Sequence, residues 1–395
     1  MAWQNAGMTY PRSHIVADGE PGFFHVVSRC VRRAFLCGQD KHTGRCFEHR
    51  RQWIEARVLE LAECFAVSVY AYSVMSNHFH VVLHVDPTAV RELSDEEVAK
   101  RWLTAFPGRL KHDDSPEVAE VLTLAITARP DRVNELRKRL GSLSWFMKAL
   151  NEPIARRANR EDECTHGRSF RRRFFRWHEN RTCCTPCAGK FWESRFKCQA
   201  LLEEEAVLSC MTYVDLNPAR AAMCDTLGES DHTSVQRRLR EREDMAGKCR
   251  SDRTILDRPL KPVAGLDADA LLGMTEASYI ELVQWTGEQP RPNKRGVLKQ
   301  LTESERAAPA DIWLVAKYPK EHRQRSRGGL PASAQEAAAE CRRAWVRQVH
   351  GTESVYYRAI GSAEALMAKA EALGQAWMKG VASEMARKIL RERPT

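Results

Sequence analysis

The chain has 395 residues, a formal net charge of +10 and a mean hydropathy of -0.50. That length allows two or three domains, and aliphatic segments spread along it exclude a disordered chain. No apolar run reaches the roughly 18 residues of a membrane span, and the polar stretch from Met1 to Gly22 lacks a charged-then-apolar signal pattern, which argues against a membrane or secreted protein. A cytoplasmic protein is therefore expected, with its 13 cysteines held as reduced thiols or metal ligands. The positive charge sits in arginine clusters rather than in one tail and suits a polyanionic partner.

After a flexible lead over residues 1–20, Phe23 to Arg29 reads as a first strand. Apolar residues at Trp53, Ile54, Val58, Leu61, Ala62 and Phe65 recur at helical spacing, which predicts an amphipathic helix over Cys46 to Phe65. Two strands follow, Ser68 to Met75 and His78 to Val85, divided by the turn-prone Ser76-Asn77. Strand alternation puts His78 and His80 on one face and Phe79 on the other. Two imidazoles at this spacing can close on one cation with a third ligand from elsewhere, whereas a lone histidine is more simply a core residue. His84 shares the parity but lies roughly 13 Å from His80 at about 3.3 Å per residue, too far for the same ion.

Helices are expected near Ala89 to Phe106, Val118 to Ala128 and Pro130 to Leu150. The segment from Arg168 to Trp177 interleaves Arg171, Arg172 and Arg173 with aromatics including Phe174 and Trp177, a composition that pairs phosphate contacts with base-stacking platforms. A solvated hairpin face is the simpler alternative. Cys184 and Cys187 leave the two-residue gap of a zinc knuckle, but a second pair at fixed spacing is missing, so a reduced-thiol loop is expected there. Gly189 to Phe196 reads as a further strand, carrying Lys190 and Arg195.

From Leu202 to Leu216 the pattern is helical, with Val207, Cys210, Met211 and Val214 as the apolar seam. At about 100° per residue, Tyr213 lies roughly 110° and Asn217 roughly 70° off the seam's centre on the same flank, one turn apart. Pro218 should end the helix about Asn217. From residue 229 to 395, charged stretches, the basic loop Pro290 to Gly296 and an Ala-rich end suggest a mostly helical module without a catalytic constellation.

Met75-Ser76-Asn77-His78-Phe79-His80, Gly189-Lys190-Phe191-Trp192-Glu193 and Tyr213-Val214-Asp215-Leu216-Asn217-Pro218-Ala219-Arg220, in that order, make the sequence similar to the REP-associated-type tyrosine transposases. These form part of the single-tyrosine branch of the His-hydrophobic-His nucleases. The resemblance covers about residues 21 to 225, with a weaker echo at Tyr279 to Gly296. It implies an α+β fold for residues 21–228: a ferredoxin-like antiparallel sheet with helices packed on one side, extended at the C-terminus by the helical module. About residues 164–188 then form a basic-aromatic insertion. The resemblance further implies that His78, His80 and Asn217 hold a divalent ion, Mg²⁺ or Mn²⁺, and that Tyr213 is the nucleophile. The substrate it implies is single-stranded DNA, hairpin-containing, cleaved and rejoined by a monomer or homodimer. Arg29, Arg195 and Arg220 are candidate phosphate contacts alongside Lys190, although a single arginine is more simply a structural or surface charge. A non-catalytic DNA-binding protein of the same fold, or a metal nuclease using water, are the competing readings.

Overall fold

The computed structural model describes residues 15, 19–31, 36–39, 44–108, 116–161, 190–248, 258–292, 294–301, 332–352 and 358–385. The insertion expected at 164–188, and with it Arg171, Arg172, Arg173, Phe174, Trp177, Cys184 and Cys187, lies outside the described residues, as does nearly all of the lead. The chain is a mixed α/β fold. Among the described residues one six-stranded sheet runs β5-β2-β3-β1-β4-β6. Its strands are β1 (Gly22–Arg29), β2 (Val67–Val74), β3 (His78–Val85), β4 (Lys197–Leu201), β5 (Ala264–Gly265) and β6 (Ala359–Ile360). The four central strands pair antiparallel, while β6 joins β4 in parallel. All eight residues of β2 are buried, as a strand covered on both faces requires.

The helices that concern the site are α1 (His49–Cys64), α2 (Asp95–Ala105), α3 (Pro116–Thr127), α4 (Pro130–Leu140), α5 (Leu143–Glu161) and α6 (Glu204–Asp215). Further along lie α7 (Ser234–Lys248), α8 (Glu276–Glu288), α9 (Ala332–Gly351) and α10 (Ala363–Ala372). The helix expected near Ala89 begins later, at Asp95, where the Ser94 hydroxyl accepts from the Glu97 amide at 3.1 Å. The one expected from Pro130 to Leu150 is broken at Gly141, whose backbone crosses Pro87 so closely that a Cβ would stand 3.1 Å from the proline Cα. Packing, not periodicity, sets that break.

Two expectations are corrected. Helices cover both faces of the sheet rather than one. Ser28, opposite Phe79 in the ladder, accepts from Asn151 of α5 at 3.0 Å, whereas His80, on the other face, meets Tyr213 of α6. The strand expected at Gly189–Phe196 is displaced toward the C-terminus. Trp192 makes an isolated bridge to Cys30, residues 193–195 form an exposed bend, and the ladder proper begins at Lys197. Lys197 to Leu201 lacks β-branched residues, so its strand character comes from pairing with β1 rather than from local preference.

The part beyond residue 228 is mostly helical among the described residues, and it also returns strands β5 and β6 to the sheet edges. No helix among the described residues is long and apolar enough to cross a membrane. The loop after α8 is tied to α9 by Arg291, which donates to the His350 carbonyl at 3.0 Å. Burial, and then the nearby Arg291 and Arg220, hold the His350 imidazole down at about 4, from 6.5. An unfolded chain takes up that proton first, so stability from the neutral ring is complete above pH 6.5 and is lost as pH falls toward about 4. Hydrogen exchange, corrected for intrinsic rates, should show protection of α9 declining across that window, and His350→Gln should flatten the decline.

Candidate functional site

Alternation along β3 aims His78 and His80 at one side of the sheet and Phe79 at the other, where its ring meets Trp192 edge-on at 5.6 Å. His80 is 5 % exposed and His25, from the adjacent β1, 2 % exposed. The ring nitrogens His25 Nε2 and His80 Nδ1 lie 2.9 Å apart, and His25 Nδ1 lies 2.9 Å from Gln199 Oε1 of β4. His80 Nε2 is buried without a hydrogen-bond partner. His78 Nδ1 lies 2.5 Å from Asn77 Oδ1, and the His78 and His80 rings are 4.8 Å apart. Burial pushes the His25 imidazole down to about 4, and burial together with His78, His25 and Lys294 pushes His80 well below its ordinary range. Both rings are therefore neutral at physiological pH, the form in which an imidazole nitrogen can hold a metal.

Tyr213 reaches the same place from α6, its ring 5.8 Å from that of His80 and 6.1 Å from that of His25. Residues 206 to 215 of α6 are all buried, so the apolar seam read from sequence is one part of a helix covered all round. The helix ends at Asp215, and a short helical turn, Asn217–Arg220, carries Asn217 to the pocket one turn beyond Tyr213. The Asn217 amide nitrogen is buried with no partner. What fixes the rotation of α6 is Asp215, about 200° round the helix from Tyr213. Its carboxylate accepts from the Ser234 hydroxyl, the Val235 amide at 3.1 Å and the Tyr279 hydroxyl at 2.5 Å.

His25, Val27, Arg29, Met75, His78, His80, Glu193, Ser194, Arg195, Lys197, Tyr213, Asn217, Arg220, Ala221 and Lys294 line one pocket. Its four exposed cations are Arg29, Arg195, Lys197 and Lys294, and Arg29 faces Glu193 at 3.9 Å in an exposed pair worth little. Lys190 is exposed but outside this lining. Arg220 takes the structural one of its two expected roles rather than the phosphate-contacting one: it is 5 % exposed, and its guanidinium donates to the Thr286 carbonyl at 2.7 Å and the Gln289 carbonyl at 2.8 Å, with longer contacts to Gly287 and Gly296. Those bonds clamp the end of α8 and the loop after it against the site. Gly296 permits the approach, since a Cβ there would fall 1.6 Å from the Ala219 carbonyl oxygen. The same loop brings Lys294 into the lining and the Arg291 guanidinium to 5.7 Å from the Tyr213 ring.

His25, Gln199, Lys197 and Lys294 are thus additions to the sequence reading. The parity of His25, Val27 and Arg29 on β1 could have shown the first, whereas Lys294 arrives through a contact no local pattern records. The unpartnered His80 Nε2 shares the pocket with His78 and with Asn217, whose amide oxygen rather than its nitrogen could serve as a ligand, so the residues present could hold a divalent ion. No cluster of three His, Cys, Asp or Glu side chains able to hold a metal occurs among the described residues, so the amide is needed to complete a set.

No family model and no curated protein matches the chain. Among solved structures it is similar to one described as the REP-associated tyrosine transposase bound to a REP hairpin, at 10 % identity over 59 % of this chain and 86 % of that one, with a TM-score of 0.28.

Because Arg220 is spent on carbonyls, Arg220→Met should destabilise the fold by roughly 2–5 kcal/mol in denaturant titration, leaving buried acceptors unpaired. A solvent-facing arginine would instead leave folding intact.

Proposed function

We propose that this protein cleaves and rejoins single-stranded DNA at hairpin-bearing ends, with Tyr213 as nucleophile. The observation that carries the reading is the meeting of His78, His80, Tyr213 and Asn217, from two separate elements and a following turn, in one basic-rimmed pocket. On this reading the four central strands, in the order β2-β3-β1-β4, form a ferredoxin-like core.

His78, His80 and Asn217 would hold Mg²⁺ or Mn²⁺, imidazoles tilting the choice toward Mn²⁺, and the ion when bound supplies charge stabilisation at the scissile phosphate. The tyrosine oxygen forms a bond to phosphorus and the bond from phosphorus to the 3′-oxygen breaks. The phenolic proton is transferred overall to the departing oxygen. A 5′-phosphotyrosine and a free 3′-hydroxyl result, and attack by another strand's 3′-hydroxyl reverses the step without water or a nucleotide cofactor. A phenol with an ordinary pKa near 10 is a weak nucleophile, so placement against the phosphate is what the protein must provide. The packing of α6 on the sheet supports that placement, and Arg29, Arg195, Lys197 and Lys294 offer the phosphate backbone a cationic rim.

Tyr213→Phe removes one oxygen and almost no volume. A labelled single-stranded hairpin incubated with Mn²⁺ and run on a denaturing gel should give a protein-linked band with the wild type and none with this variant, while DNA binding persists. A band at wild-type yield would remove Tyr213 from the chemistry. Cleavage by the wild type with no linked intermediate would favour a water-using nuclease, and no cleavage at all a DNA-binding protein without turnover. Replacing Arg171, Arg172 and Arg173 together by Ala should weaken binding and flatten its salt dependence, by a log–log slope of about 0.7 for each phosphate that is no longer neutralised.

A further inference from the structure

Three polar side chains stand in a row across three adjacent strands, on a face where apolar residues would pack as well. Gln199 lies directly opposite His25 in the β1–β4 ladder, and His25 is the diagonal neighbour of His80 across β1–β3, where Val27 is the residue opposite. All three are at most 5 % exposed. We propose that Gln199 and His25 are positioning residues that hold His80 with its proton on Nδ1 and its Nε2 lone pair toward the pocket. The proposal rests on the reading of that pocket as a metal-dependent site.

With the Gln199 amide oxygen toward His25, counting donors gives the chain one solution. Gln199 Oε1 can only accept, so the 2.9 Å contact puts a proton on His25 Nδ1. A neutral His25 then has its lone pair on Nε2, which can only accept from His80 Nδ1, also at 2.9 Å. A neutral His80 with its proton on Nδ1 has its lone pair on Nε2, the atom that is buried with no protein partner. The 2.9 Å contact between the two rings itself requires a lone pair on one of the two facing nitrogens. His78 is oriented in the same sense by another residue: its Nδ1 faces Asn77 Oδ1, leaving Nε2 as the lone-pair atom. The relay thus presents one ligand nitrogen from within the sheet, whereas a turn residue presents the other. Hydrogen bonds from a ligand's second nitrogen fix ring orientation and raise basicity, and removing them commonly costs ten- to a hundred-fold in metal affinity.

The test uses the full chain with ¹⁵N-labelled histidine, first with chelator present. Long-range proton–nitrogen correlation reports which nitrogen of each ring is protonated, and the His80 signals are identified by their loss in His80→Asn. The wild type should show His80 protonated on Nδ1. Gln199→Leu should scramble that tautomer and weaken Mn²⁺ binding, measured by calorimetry, ten- to a hundred-fold. Gln199→Glu, which accepts the same proton, should preserve both. A wild-type His80 protonated on Nε2 would overturn the proposal, as would a Gln199→Leu spectrum unchanged from wild type. Equal losses in the Leu and Glu variants would assign the effect to packing and overturn it too. The expected tautomer in a protein that binds no Mn²⁺ would support the relay and overturn the metal reading of the pocket instead.

Discussion

Between α5 on one side and α6 on the other, β3 has to serve two environments with alternate side chains. Phe79, Val81, Leu83 and Val85 fill the core toward α5, and His78 and His80 face α6. A one-residue slip of the ladder would exchange the two sets, driving imidazoles into the apolar layer and Phe79 into the pocket. The register of β1 against β3 and β4 therefore decides the fold and the site together. That is why the polar side chains of His25 and Gln199 are tolerated inside the sheet: each meets its hydrogen-bonding partner in this register.

The face of α6 is fixed from its far side. Asp215 receives three donors from α7 and α8, and burial still raises its carboxyl to about 6 despite those bonds. Next to this, Arg238 and Glu276 form an ion pair in which both side chains are at most 2 % exposed, and Arg258 adds a second cation to the same carboxylate. A buried pair of this kind is weak evidence for stability but costly to break, so it holds α7 and α8 in one arrangement. Tyr213 inherits its direction from that arrangement. The part of the chain after residue 228 is the scaffold behind the tyrosine rather than an appendage to it.

Much of this was legible in the sequence because it follows from short-range rules. The strand from His78 to Val85, the histidine parity and the Tyr213–Asn217 spacing each depend on a single periodicity. The strand at Lys197–Leu201 did not show itself, since its polar residues pair with β1 for reasons that lie about 175 residues away. For Arg220 the sequence left two roles open, phosphate contact and structural charge, and the four carbonyls around its guanidinium decide for the second. The broken helix at Gly141 and the cover on both faces of the sheet were likewise set by tertiary contact. Periodicity reports the environment along one element, and it says nothing of what a second element brings to it.

The clamp of Arg220 on the loop after α8 gives the site an order of construction. During synthesis the histidines and Tyr213 emerge well before Lys294, so a nascent chain holds a half-built cleft, open along one wall and short of one cation. The edge pairing of Ala200 with Ala359, roughly 160 residues apart, closes later still and belongs to the slow, high-contact-order part of folding. A growing chain thus presents its full cationic rim only after most of the polypeptide has left the ribosome.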